Sequence, residues 1–205
     1  MTVTLAIIIV NVLVSMQALS NPTILEKLKH YPYAEKRTGE WSRILTGTFV
    51  HGSWVHLAFN MYALYSFGTA LEYQFAGIFG NTRGRVFYLL VYLHSGLLAN
   101  MVTYHRHQDH AGFASVGASG SVSGIMFAYI IFDPWVMLYL FYVLPLPGVL
   151  AAILFLVYST YAGRKGQGYI DHTAHFWGAV TGFALTIALK PELWNIFVQE
   201  LMSKF

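Results

Sequence analysis

An all-α membrane protein built from six spanning helices is the fold class this sequence predicts, and three observations predict it. Of 205 residues, 56% are hydrophobic and only 10% charged, against about 25% charged in a typical soluble domain. That deficit leaves too few charges to coat a water-facing surface, so a bilayer is the natural solvent. The apolar residues fall into runs near the ~20 residues a helix needs to cross a membrane. Charged residues, Pro and Gly collect between these runs. The chain has no cysteine, which excludes disulfides and thiolate metal sites. Its net charge of +3 is spread along the sequence, with no basic, aromatic-interleaved patch of the kind that binds nucleic acid.

Residues 2–19 form the first expected span, closed by Ser20-Asn21-Pro22. The run has no positive n-region and no convincing small-residue cleavage site, so it reads as a retained helix. Residues 21–47 carry Glu26, Lys27, Lys29, Glu35, Lys36, Arg37, Glu40 and Arg43, with Tyr31, Tyr33 and Trp41 among them. This predicts a long extramembrane first loop whose aromatic residues suit an interface. The second span is expected over 48–71, followed by a polar turn over 80–85, and the third over 86–104. Residues 105–110 read as a histidine-rich exit loop. The fourth span, 116–132, is short, and residues 112–116 are expected to dip into the protein ahead of it. Irregular backbone at that depth is tolerated only where protein or water shields it. Asp133-Pro134 stops this helix. Residues 135–147, broken by Pro145 and Pro147, read as interfacial or re-entrant. The fifth span is expected over 148–162, a flexible loop over 163–168, and the sixth span over 172–189, stopped by Lys190-Pro191. No repeat or second domain stands out, so residues 1–205 form one six-helix membrane domain.

Within these apolar runs a few polar residues carry chemistry. In hydrocarbon a polar side chain pairs internally or serves a function. Ser119 lies in Gly117-Ala118-Ser119-Gly120, with Gly117 and Gly120 shaping the loop around it. One serine beside glycines is most often helix–helix glue, and position 121 is not the glycine of the soluble-hydrolase elbow. His175 stands at the head of a small-residue face continued by Gly178 and Gly182. Such a face lets a partner backbone approach closely. Packed on Gly117, Gly120 and Gly124, it would bring imidazole and hydroxyl together, the pairing that activates a serine nucleophile. Ser121 and Ser123 rank behind Ser119. His56 and Asn60, one helical turn apart on one face, can both donate hydrogen bonds to a developing oxyanion, as can the Ser119 backbone N–H. His51 reads as a structural residue facing the loop. Asp171, four residues before His175, reads as a helix N-cap rather than a third triad member. Nine histidines raise a metal centre as an alternative. There is no His-Glu-x-x-His and no inward glutamate to complete one, so no metal site is assigned.

Taken together, His51-Gly52-Ser53-Trp54-Val55-His56-Leu57-Ala58-Phe59-Asn60, Gly117-Ala118-Ser119-Gly120 and Ala174-His175-Phe176-Trp177-Gly178 with Gly182 resemble the rhomboid family of intramembrane serine proteases. Asn60-Met61-Tyr62-Ala63-Leu64-Tyr65-Ser66-Phe67-Gly68 and Asp171-His172-Thr173-Ala174-His175 are most similar to the branch that includes mitochondrial presenilin-associated rhomboids and many bacterial relatives. The resemblance covers essentially the whole chain in order.

It implies a rhomboid-type six-helix bundle with a Ser119–His175 dyad, no required acid, no cofactor, and an oxyanion site from Asn60, His56 and the Ser119 N–H. It also implies that Arg43 is the structural arginine of the first loop, although the family's Trp-Arg pair is spaced here as Trp41-Ser42-Arg43. Ser123 stands where well-studied bacterial members carry an aromatic that stacks on the catalytic histidine, so Phe127 or Phe176 is expected to substitute. The implied partners are the lipid bilayer and single-pass membrane protein substrates, with no nucleic acid. The implied location is the bacterial inner membrane, as a multi-pass protein. The flexible 163–168 loop is expected to cap the site, a role for a mobile segment. Family orientation would put Arg83, Arg85, Lys190 and Lys204 inside and the other eight Lys and Arg outside, against the positive-inside preference. A non-catalytic rhomboid-like client-binding protein and a histidine-liganded membrane metalloenzyme are the alternatives.

Overall fold

The computed structural model describes residues 1–140, 144–165 and 171–204, excluding the side chains of 139, 140, 144 and 158–165. It is mostly helical. Helix α1 (Val3–Ser20) is followed by three short helices, α2 (Pro22–Leu28), α3 (Pro32–Thr38) and α4 (Ser42–Thr46), and a 3₁₀ turn over Gly47–Phe49. Then come α5 (Trp54–Phe79), α6 (Asn81–His107) and α7 (Ser119–Ile130). A two-stranded hairpin, β1 (Met137–Leu140) with β2 (Leu144–Pro147), precedes α8 (Gly148–Lys165), α9 (His172–Leu189) and α10 (Leu193–Met202).

Large apolar side chains are exposed on the outward faces, while the interior combines an apolar core around Leu64, Leu71, Phe75 and Val91 with buried polar groups. On α1 the buried stripe is Thr4, Ile7, Asn11, Ser15 and Ala18, while Leu5, Ile9, Leu13 and Met16 are exposed. Several buried polar groups are matched by partners on neighbouring helices. Beside the Thr2 cap of α1, Glu72 of α5 accepts the N–H groups of Val3 at 2.9 Å and Thr4 at 3.0 Å and the Thr4 hydroxyl at 2.8 Å. Asn11 donates to the Tyr92 hydroxyl of α6 at 3.3 Å. Such internal pairing is what a lipid solvent demands. By length and apolarity, α1 and α6 each suffice to cross a membrane, and Ser119–Ile130 and Gly148–Val157 are shorter apolar helices.

Helix α7 is the innermost element, buried on nearly every residue and enclosed by α5, α6 and α9. Contacts sort the connections into two ends of the bundle. At one end, Lys36 of α3 pairs with Asp109 at 2.9 Å, and Arg106 donates to Thr173 at 3.1 Å. At the other end are Glu72, the start of α1, Arg85, and Trp135, whose indole N–H donates to the Glu200 carbonyl of α10 at 3.0 Å.

Several expectations are corrected. The expected first loop carries short helices: Asn21 caps α2 and Pro22 and Pro32 start α2 and α3, because proline at the first helical position costs no hydrogen bond. Helix α5 starts six residues later than expected, where the Ser53 side chain accepts the His56 N–H, and runs on to Gly80. The polar turn over 80–85 shrinks to Gly80 (φ 80°), and Asn81 to Arg85 begin α6, which absorbs His105 to His107. The re-entrant segment 135–147 contains an antiparallel hairpin pairing Met137 with Pro147. Pro145 and Pro147 cannot donate, which suits a two-stranded ribbon with free edges. Helix α10 was not expected: it is amphipathic rather than apolar, so it escapes a search for spans. The proposed 163–168 cap lies outside the described residues, apart from the backbone of the last turn of α8.

Candidate active site

Ser119 is the first residue of α7, so its N–H has no carbonyl one turn behind it within the helix. The chain reaches it through Gly117, whose φ of 123° is a conformation that glycine alone adopts without strain. A side chain at 117 would also fall 2.7 Å from His56 Cε1. The Gly117 N–H is tied to the Gly47 carbonyl at 3.0 Å. Glycine is therefore required there twice, by its dihedral and by the imidazole lying against it.

His175 lies one turn into α9. Asp171 caps that helix, its Oδ1 accepting the Ala174 N–H at 3.0 Å, while its Oδ2 takes the hydroxyl of Thr103 on α6. The carboxylate is thus committed to the helix end and to α6. Two backbone contacts then set the distance between α7 and α9. A Cβ on Gly178 would stand 2.1 Å from the Gly120 carbonyl oxygen, and one on Gly182 would stand 2.1 Å from that of Gly124. No other residue permits this approach.

With the backbones that close, His175 Nε2 lies 2.7 Å from Ser119 Oγ, a strong hydrogen-bond distance. The neighbouring serines are directed elsewhere: Ser123 donates to the Ser119 carbonyl at 2.7 Å, and Ser121 is buried against Gly96 of α6. The His175 ring stacks on Phe155 of α8, centroids 5.7 Å apart and planes 26° apart. This corrects the expected aromatic: Phe127 lies behind Phe155 at 6.2 Å, and Phe176 meets Trp177 instead.

His56 and Asn60 project from one face of α5. His56 borders the serine loop at Gly117, and Asn60 is buried one turn along, one amide proton given to the His56 carbonyl at 3.0 Å. The second amide proton remains for another acceptor. His51 makes structural hydrogen bonds, as expected, but from inside the protein. It is fully buried and bridges α1 to the serine loop: the Ser15 hydroxyl donates to the Phe49 carbonyl at 3.0 Å and so accepts from His51 Nδ1 at 2.9 Å. His51 Nε2 then accepts the Ala118 N–H at 3.4 Å. Arg43 ties the first segment together by donating to the Glu26 carbonyl at 2.6 Å. Of the histidine-rich group, His107 stacks on Phe113 with centroids 3.7 Å apart. Among the described residues no three His, Asp or Glu side chains converge as metal ligands.

Sequence reasoning missed Phe155, Thr103 and Ser15. Each sits in an apolar run where its residue type is ordinary, and only the packing of a second helix gives it a partner.

The rhomboid domain model matches residues 38–192. The chain is 29% identical over 150 residues to RHOMBOID-like protein 12, mitochondrial, of Arabidopsis thaliana, covering 70% of this chain and 45% of that one. It is 29% identical over 167 residues to Rhomboid protease GluP of Bacillus subtilis (strain 168), covering 80% and 29%. It is 31% identical over 156 residues to Presenilin-associated rhomboid-like protein, mitochondrial, of Homo sapiens, covering 69% and 36%. The chain spans about half the length, or less, of the curated relatives it matches.

Proposed function

The chain belongs to the rhomboid family, whose members are integral to membranes and generally intramembrane serine proteases, and from that premise we propose that it is an intramembrane serine endopeptidase. Residues 1–205 form one domain in which α1, α5, α6, α7, α8 and α9 span the bilayer, with the segment 21–47 as an extramembrane first loop. Its substrates are transmembrane or juxtamembrane segments of single-pass proteins, and its location is the bacterial inner membrane. The observation that carries this reading is the 2.7 Å contact between His175 Nε2 and Ser119 Oγ, made between two helices rather than within one.

In the mechanism, Ser119 Oγ attacks the scissile carbonyl carbon as His175 Nε2 takes its proton. The carbonyl oxygen becomes an oxyanion, held by the Ser119 N–H, the free amide proton of Asn60 and the imidazole of His56. The C–N bond then breaks, and His175 returns the proton to the leaving amine. Water attacks the acyl-enzyme through the same imidazole, releasing the acid and restoring Ser119. A helical substrate must unwind locally first, because its carbonyls are occupied by its own N–H groups.

A reporter with a single transmembrane segment, reconstituted in liposomes with the purified protein, tests the proposal. Cleavage by the wild type, with none by Ser119→Ala, is the expected result. An intact reporter across a panel of helix-weakened segments would favour the client-binding alternative. Cleavage that survives Ser119→Ala but is lost on chelation would favour a metalloenzyme.

A further inference from the structure

Beneath the serine loop lies a buried acid–imidazole pair that the mechanism does not use. His30 and Glu35, in the segment between α1 and α5, are 1% and 0% exposed. His30 Nδ1 donates to Glu35 Oε1 at 2.8 Å, and the same oxygen accepts the Tyr31 N–H at 2.7 Å. Withdrawing such a pair from water is costly and is offset only by good hydrogen bonding. Here His30 Nε2 and Glu35 Oε2 have no partner among the described residues, so the pair is an expensive way to hold a loop.

What it holds is the approach to Ser119. The His30 main chain exchanges both its hydrogen bonds with Ser115, N–H to carbonyl at 3.1 Å and carbonyl from N–H at 2.9 Å. Ser115 stands two residues before the positive-φ Gly117. Gly47 completes the junction: its carbonyl accepts the Gly117 N–H, and a side chain on it would fall 2.7 Å from the His30 nitrogen. On its far side, His30 borders a cavity of about 10 Å³ shared with Asn100, Ser115, Ser119 and Asp171. First segment, serine loop and the cap of α9 therefore meet at His30.

We propose that His30 and Glu35 are positioning residues for Ser119. Glu35 fixes the ring, the ring fixes the bridge to Ser115, and the bridge sets the Gly117 turn from which Ser119 emerges. This rests on the protease reading.

The test is the rate at which a fluorophosphonate probe labels Ser119 in detergent-solubilised full-length protein, beside kcat and KM on the liposome reporter. Folding is checked by thermal unfolding and gel filtration. Glu35→Ala and His30→Ala are expected to slow labelling about 10- to 100-fold, the cost of a modest misplacement, and to lower kcat with KM unchanged. Glu35→Gln, whose amide oxygen still accepts both hydrogen bonds, is expected to restore most of the rate. If either alanine variant does not fold, Gly47→Ala pushes on the same junction from the opposite side and is expected to slow labelling likewise. Labelling of the folded alanine variants, or of Gly47→Ala, at the wild-type rate would overturn the inference. A wild type that is folded but unlabelled would overturn the protease reading and the inference with it, so the two failures are distinguishable.

Discussion

At Ser119 the backbone shapes the chemistry as much as the side chain does. Gly117 puts the serine at a helix start, where its N–H is free, and His56 fills the space that a side chain at 117 would take. Removing one oxyanion donor costs about 10²- to 10³-fold in kcat. Asn60→Ala and His56→Ala are each expected to fall in that range with KM little changed, measured on the liposome reporter. Phe155 stacks on His175, the proposed general base, an aromatic contact worth about 0.5–1.5 kcal/mol. Phe155→Leu should therefore lower kcat about 2- to 10-fold, and unchanged turnover would mean that the ring does not orient His175. The pairing of Ser119 with His175 was legible in the sequence because small residues flank both, marking faces able to touch. Phe155 was not legible, since an aromatic in an apolar run signals nothing until a neighbouring helix places a ring beside it. Nor was the burial of His51, whose partners Ser15 and Ala118 lie far off in the chain.

Among the elements, the seam between α7 and α9 fixes the distance between Ser119 and His175. It is made by glycine pairs rather than by side chains, so any added atom forces the helices apart. Gly178→Ala is expected to cost about 1–3 kcal/mol of stability by overpacking and to reduce activity further by separating Ser119 from His175. A denaturation midpoint and the labelling rate check both effects. At the start of α1, Glu72 accepts two N–H groups beyond the one that the Thr2 cap accepts. Glu72→Ala, which leaves those N–H groups unpaired inside the protein, should destabilise by about 1–3 kcal/mol without altering the dyad. The long apolar helices were legible from their runs. The short helices of the first segment were obscured by their charges, which in a sequence reading mark loops. The hairpin was obscured by its prolines, and α10 by being apolar on only part of its surface.

For the whole molecule, the many large apolar side chains exposed on the helices suit a lipid solvent, and the contacts between connections give the bundle two distinct ends. The first segment, Asp109 and Thr173 share one end, while Glu72, Arg85, Trp135 and α10 share the other. Because the chain has no cysteine, single cysteines at Lys36 and Asp109 should react with a membrane-impermeant thiol reagent from one side only. Cysteines at Arg83 and Lys204 should react from the opposite side only. Reaction of all four from one side would contradict the six-span topology. This arrangement was not legible from charge, because the basic residues of the first end include several that pair within the protein, Arg43 and Lys36 among them. The most direct test of the central claim, that α7 and α9 assemble an activated serine, is fluorophosphonate labelling of purified wild type, Ser119→Ala and His175→Ala. The account predicts labelling of the wild type and its loss in both folded variants. Labelling that persists in folded Ser119→Ala, or none in a folded wild type beside a reactive control protease, would contradict it.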